Sequence, residues 1–123
     1  PVGAFWIGVA AGLGCFFAST TVKRALGYDD SLDVFGIHAV GGIIGAILTG
    51  VFAVEAIGGT AGLLEGNPGQ VLTQIYGVLA TIVWCAVASF VILVIVNILI
   101  GVRVSHAVEV EGLDINLHGE VVQ

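Results

Sequence analysis

The chain has 123 residues, of which 58% are hydrophobic and 10% charged, with a mean hydropathy of +1.12 and a formal net charge of −6. Soluble domains carry about 25% charged residues, so a water-soluble globule is excluded, and three Lys and Arg residues in all leave nucleic acid without a binding surface. The apolar runs are long and do not alternate like strands, so the backbone must satisfy itself inside helices. The class expected is all-α: a polytopic helical membrane protein in a lipid bilayer.

The first span is expected over about residues 4–25. It closes on Lys23 and Arg24 and the turn signal Gly27-Tyr28-Asp29-Asp30. The second is expected over about residues 32–57, with Asp30, Ser31 and Asp33 suited to capping its positive end. Gly58-Gly59 and Asn67-Pro68-Gly69 mark the loop that follows. The third apolar run, about residues 71–102, covers roughly 45 Å at 1.5 Å per residue and must tilt or project beyond a ~30 Å hydrocarbon core.

Lys23, Arg24 and Arg103 flank these spans, and the second loop holds no Lys or Arg. The positive-inside rule then puts the first loop and the C-terminus in the cytoplasm. Residues 1–103 form the transmembrane region and residues 104–123 a polar, acidic cytoplasmic tail, for which disorder is the simplest reading. The chain starts at Pro1, contains no Met and has no basic stretch before its first apolar run. It is therefore read as part of a longer protein, without a signal peptide.

Cys15 and Cys85 lie in apolar runs and read as small buried hydrophobes. Gly8-x-x-x-Gly12 and Gly41-x-x-x-Gly45 fit close helix crossings. Asn97 is a single amide in the third span, expected to bond a backbone or another helix. His106 and His118 lack the partners that a metal site needs, so no metal and no cofactor is expected.

His38 stands out. An ionisable group at membrane depth is costly and faces the protein interior or a water-filled path. Val34, Phe35, Gly41 and Gly42 lie three or four residues from it, and Gly45 and Thr49 continue that side. Neutral imidazole offers one donor and one acceptor, and burial disfavours its cation. It can thus accept a hydrogen bond or a proton from a donor that passes it. A core histidine bonded to a neighbouring helix is an equal alternative, and haem ligation would need a second axial ligand.

The stretch DDSLDVFGIHAVGGIIGAILTGVFA, residues 29–53, resembles the tenth transmembrane helix of the ammonium transporter family (Amt, Mep and Rh proteins). Asp33-Val34-Phe35-Gly36, His38, Gly41-Gly42, Gly45 and Thr49-Gly50 match its motif, with Ala39 where glycine is common. The tail matches at Arg103, Val104, Ser105, Glu109, Gly112, Leu113, Asp114, His118, Gly119 and Glu120, which favours the Amt and Mep branch.

The resemblance implies a channel or transporter, not an enzyme, built as a homotrimer of eleven-helix subunits in the cell membrane. This chain would supply the last three helices and the tail. His38 would be one of a pair of pore histidines, with Val34 lining the narrow part and ammonium or ammonia as substrate. The tail segments Gly112-Leu113-Asp114 and His118-Gly119-Glu120 would be regulatory, touching neighbouring subunits and a PII-type signal protein. The alternative function is an Amt-like ammonium sensor that signals through the tail.

Overall fold

The computed structural model describes residues 2–119. Glu120 of the tail motif lies outside the described residues. Three helices are long and apolar enough to cross a membrane: α1 (Val2–Leu26), α2 (Phe35–Phe52) and α4 (Gly69–Leu99). A single helical turn, α3 (Glu55–Gly58), lies between the last two, and α5 (His106–Glu111) lies in the tail. Among the described residues there is no strand, so the chain is an all-α, multi-span membrane protein.

The chain divides into two compact units between Ile82 and Val83, within α4. In the first unit α1 and α2 run antiparallel, since Gly3 meets Phe52, Gly14 meets Val40 and Ile44, and Gly36 meets Ser19. Lipid tails are as apolar as leucine, so close van der Waals packing at small residues holds such a pair rather than hydrophobic burial. Gly8, Gly12 and Gly45 take no part: among the described residues nothing lies within 4 Å of where their Cβ would sit. Of the four glycines in the two expected crossing motifs, only Gly41 is packed, with the Cys15 sulfur 2.8 Å from its would-be Cβ.

Helix α2 is shorter than the expected span, and polar groups set both of its ends. Asp30 accepts the Val34 and Phe35 N–H groups on its two carboxylate oxygens, each at 2.8 Å, which supplies the expected cap. Asp33 sits at φ 54°, a left-handed conformation that blocks an earlier start. At the other end Ala53 and Val54 turn extended, and the Ala53 carbonyl accepts the Gly62 N–H at 2.9 Å. The Glu65 carboxylate takes the Glu55 N–H at 2.7 Å, so residues 55–58 form a separate turn. Eighteen residues rise roughly 27 Å, close to the ~30 Å hydrocarbon core.

Gly59, at φ 74°, ends α3 through its N–H to the Glu55 carbonyl, as glycine in a left-handed cap does. Asn67 braces the rest of the loop, its side-chain amide donating to Ala61 O at 3.0 Å. The start of α4 lies directly on α2: a Cβ at buried Gly50 would fall 2.9 Å from Gln74 Cγ and 3.0 Å from Val71 Cα.

Helix α4 has no buried residue. Trp84 is 74% exposed, which suits a lipid or helix neighbour and not water. In the second unit α4 ends where Gly101 adopts φ 76°. Asn97 accepts the Val102 N–H on its side chain at 3.4 Å, so this amide closes its own helix. The tail is not featureless. Arg103 holds Glu109 through Nη2 at 2.9 Å and 3.1 Å, Gly112 turns the chain at φ 113°, and Asp114–His118 form a turn ended by Gly119 at φ 67°.

Candidate substrate pathway at His38

Two widened turns set the geometry around His38. In α1, residues Ala18–Val22 form a π turn in which the Lys23 N–H reaches back five residues to the Ala18 carbonyl. Within this stretch Thr20 Oγ1 donates to the Phe16 carbonyl at 2.6 Å. In α2, residues Phe35–Ala39 form a second π turn, with the Val40 N–H on the Phe35 carbonyl. π turns occur mostly as single insertions inside α-helices and often at functional sites. His38 lies in this second turn.

The two π turns face one another. Gly36 is buried, and a Cβ there would lie 2.5 Å from Ser19 Oγ and 2.9 Å from Ser19 N. Cys15 donates its thiol to the Ile37 carbonyl at 3.4 Å. The rings of Tyr28 and Phe35 pack edge-to-face at 5.5 Å. Lys23 Nζ reaches the Asp33 carboxylate at 2.6 Å and the Asp30 carbonyl at 2.5 Å.

These contacts define the α1-facing side of α2 as Gly36, Val40, Gly41 and Ile44. His38 is exposed, on another side. Gly42 and Gly45 follow it at four- and seven-residue spacing and share that open side, where nothing among the described residues approaches within 4 Å. Thr49 is exposed too, its hydroxyl donating to the Gly45 carbonyl at 2.8 Å. Val34 is 52% exposed and Phe35 49%. Of the side expected around His38, Gly41 is therefore diverted to the contact with Cys15 and the Phe35 ring to Tyr28, while His38, Gly42 and Thr49 stay exposed among the described residues. The tail residues Gly112, Leu113, Asp114, His118 and Gly119 belong to the second unit. There Asn116 bridges the Glu111 carboxylate at 3.2 Å and the Gly112 carbonyl at 3.0 Å.

Sequence reasoning missed Ser19, whose buried hydroxyl has no hydrogen-bond partner among the described residues. Its only sequence signal was the run of three hydroxyl residues near the end of an apolar span. Among the described residues, no three His, Cys, Asp or Glu side chains gather as metal ligands would.

Long apolar helices, one of them with an exposed imidazole in a π turn, define a segment of a multi-span membrane protein with a polar group inside an apolar span. Comparison with known proteins narrows this class. The model of the Ammonium Transporter Family matches residues 1–123. An ammonium transporter of Aquifex aeolicus (strain VF5) is 54% identical over 119 residues, covering 97% of this chain and 28% of that protein. An ammonium transporter of Bacillus subtilis (strain 168) is 38% identical over 98% of this chain and 30% of its own length. The ammonium transporter Amt1 of Archaeoglobus fulgidus is 36% identical over 97% of this chain and 30% of its own. The chain belongs to the ammonium transporter family, and it spans less than a third of the length of these relatives.

Proposed function

We propose that the full-length protein moves ammonium or ammonia across the cell membrane, and that His38 is one of a pair of pore histidines on its path, with Val34 lining the narrow part. The observation that carries this reading is the placement of His38: inside an apolar helix long enough to cross a membrane, in a π turn, and on a side of α2 that α1 does not cover. Helices from the remainder of the protein would close the path over it. Gly42 and Gly45 would leave room for that path, since nothing among the described residues lies within 4 Å of where their Cβ atoms would sit.

The chemistry proposed uses the ring in its neutral form. A bare nitrogen acceptor takes a hydrogen bond or a proton from ammonium as the ion loses its hydration shell. A carboxylate in the same position would hold the cation and slow its release. The ring's other nitrogen remains a donor for the neutral base. The three basic residues near span ends favour a cytoplasmic tail. The reading includes a homotrimer, with the tail reaching neighbouring subunits and a PII-type signal protein.

The test is flux of ammonium and methylammonium by the full-length protein in proteoliposomes. His38→Ala is expected to change flux or selectivity while the assembled state is retained. Unchanged flux and selectivity would remove His38 from the path.

A further inference from the structure

We infer that Ser19 and Gly36 are positioning residues for His38: the contact between the two π turns fixes the direction in which the imidazole points. This rests on the pore reading above and deepens it.

The backbone of α2 is anchored on the approach to the histidine. The Asp30 carboxylate holds the Val34 and Phe35 N–H groups. The Tyr28 ring edges the Phe35 ring. Ser19 presses on Gly36, and the Cys15 thiol holds the Ile37 carbonyl. All of these anchors come from α1 or the loop that follows it.

A π turn takes up one residue more per hydrogen-bonded ring than an α turn. Relaxing it to α would rotate residues on one side of the insertion by about 100° relative to those on the other, the angle per residue at 3.6 residues per turn. Val40 and Ile44 are fixed against Gly14, so the rotation would fall on the segment before them, which includes His38. The close approach at Gly36 is what allows the widened turn to rest on α1. A methyl group there would collide with the Ser19 backbone as well as its hydroxyl, at 2.9 Å from N and 3.1 Å from Cα. The helices would have to part, and the turn would lose its support.

The experiment uses the full-length protein in proteoliposomes, with Gly36→Ala, Ser19→Ala and His38→Ala measured side by side. The principal readout is the ratio of methylammonium to ammonium flux, which does not depend on how much protein is folded. Gly36→Ala is expected to lower flux at least about tenfold, as displacement of a working group by an ångström can do. It should also move the ratio by about threefold or more, in line with couplings between touching residues. Ser19→Ala, which leaves the backbone contact and removes only the hydroxyl, is expected to move the ratio in the same direction by less. Should Gly36→Ala fail to assemble, the Ser19→Ala ratio alone decides. Wild-type ratios in every assembled variant of Ser19 and Gly36, beside an altered His38→Ala, would overturn the positioning role and leave the pore reading intact. An unaltered His38→Ala would remove both.

Discussion

Lys23 Nζ lies 2.6 Å from the Asp33 carboxylate, tying the last turn of α1 to a residue two positions before the start of α2. The same ammonium group donates to the Asp30 carbonyl, so one side chain bridges both carboxylate-bearing corners of the loop. Asp33 itself stands at φ 54°, which Asn and Asp tolerate and β-branched residues do not. Lys23→Met is expected to lower the apparent melting temperature of the full-length protein in detergent. Asp33→Val should lower it further, because that substitution loses the ion pair and adds backbone strain. Asp33→Asn, which keeps the conformation and loses the charge, should fall closest to wild type.

Asp30 caps α2 with both carboxylate oxygens. Asp30→Ala is expected to cost about 1 kcal/mol, the usual loss for a helix cap, in equilibrium unfolding from mixed micelles. Hydrogen exchange at the Val34 and Phe35 amides should accelerate more than exchange in the middle of α1. Asp30→Asn should retain most of the stability, since an amide oxygen still accepts one of the two bonds.

Gly50 is buried where α2 meets the start of α4, with Val71 Cα and the Gln70 carbonyl at 3.0 Å and 3.1 Å from a would-be Cβ. These are backbone atoms and cannot swing aside. Gly50→Val is expected to destabilise by about 1–3 kcal/mol, the range for overpacking a tight contact. The same measurement on Gly50→Ala should give a smaller loss of the same sign.

Gly112 holds φ 113°, a conformation that side chains strain to adopt. Gly112→Ala is expected to loosen the turn between α5 and residues 114–118, where Asn116 bonds the Gly112 carbonyl. Limited proteolysis should cut the tail several times faster, while the melting temperature of the apolar helices stays at its wild-type value.

The helical class and the number of apolar spans were legible because they depend on local quantities. A run of 31 residues from Gly69 to Leu99 with no charge has no alternative in lipid but a helix. The Asp30 cap was legible for the same reason, since its partners are four and five residues away. The second span was read too long at both ends. Val54 and Ile57 are as apolar as the residues before them, and only the pull of Gly62 and Glu65 on residues 53–55 ends the helix. The Gly8-x-x-x-Gly12 spacing invited a crossing that α2 does not make, because glycine spacing marks a surface able to pack without naming its partner.

Composition and motif order by themselves determined that this is an all-helical membrane segment of the ammonium transporter family, with one histidine inside an apolar span. The tertiary structure alone decided which side of α2 α1 covers, that Gly41 packs while Gly42 and Gly45 stay open, and that His38 stands in a π turn opposite another. The physical reason lies in how helices widen. An inserted residue costs regular hydrogen bonding and persists only where a neighbour supports it, and the neighbour of Gly36 is Ser19, 17 positions earlier in the chain.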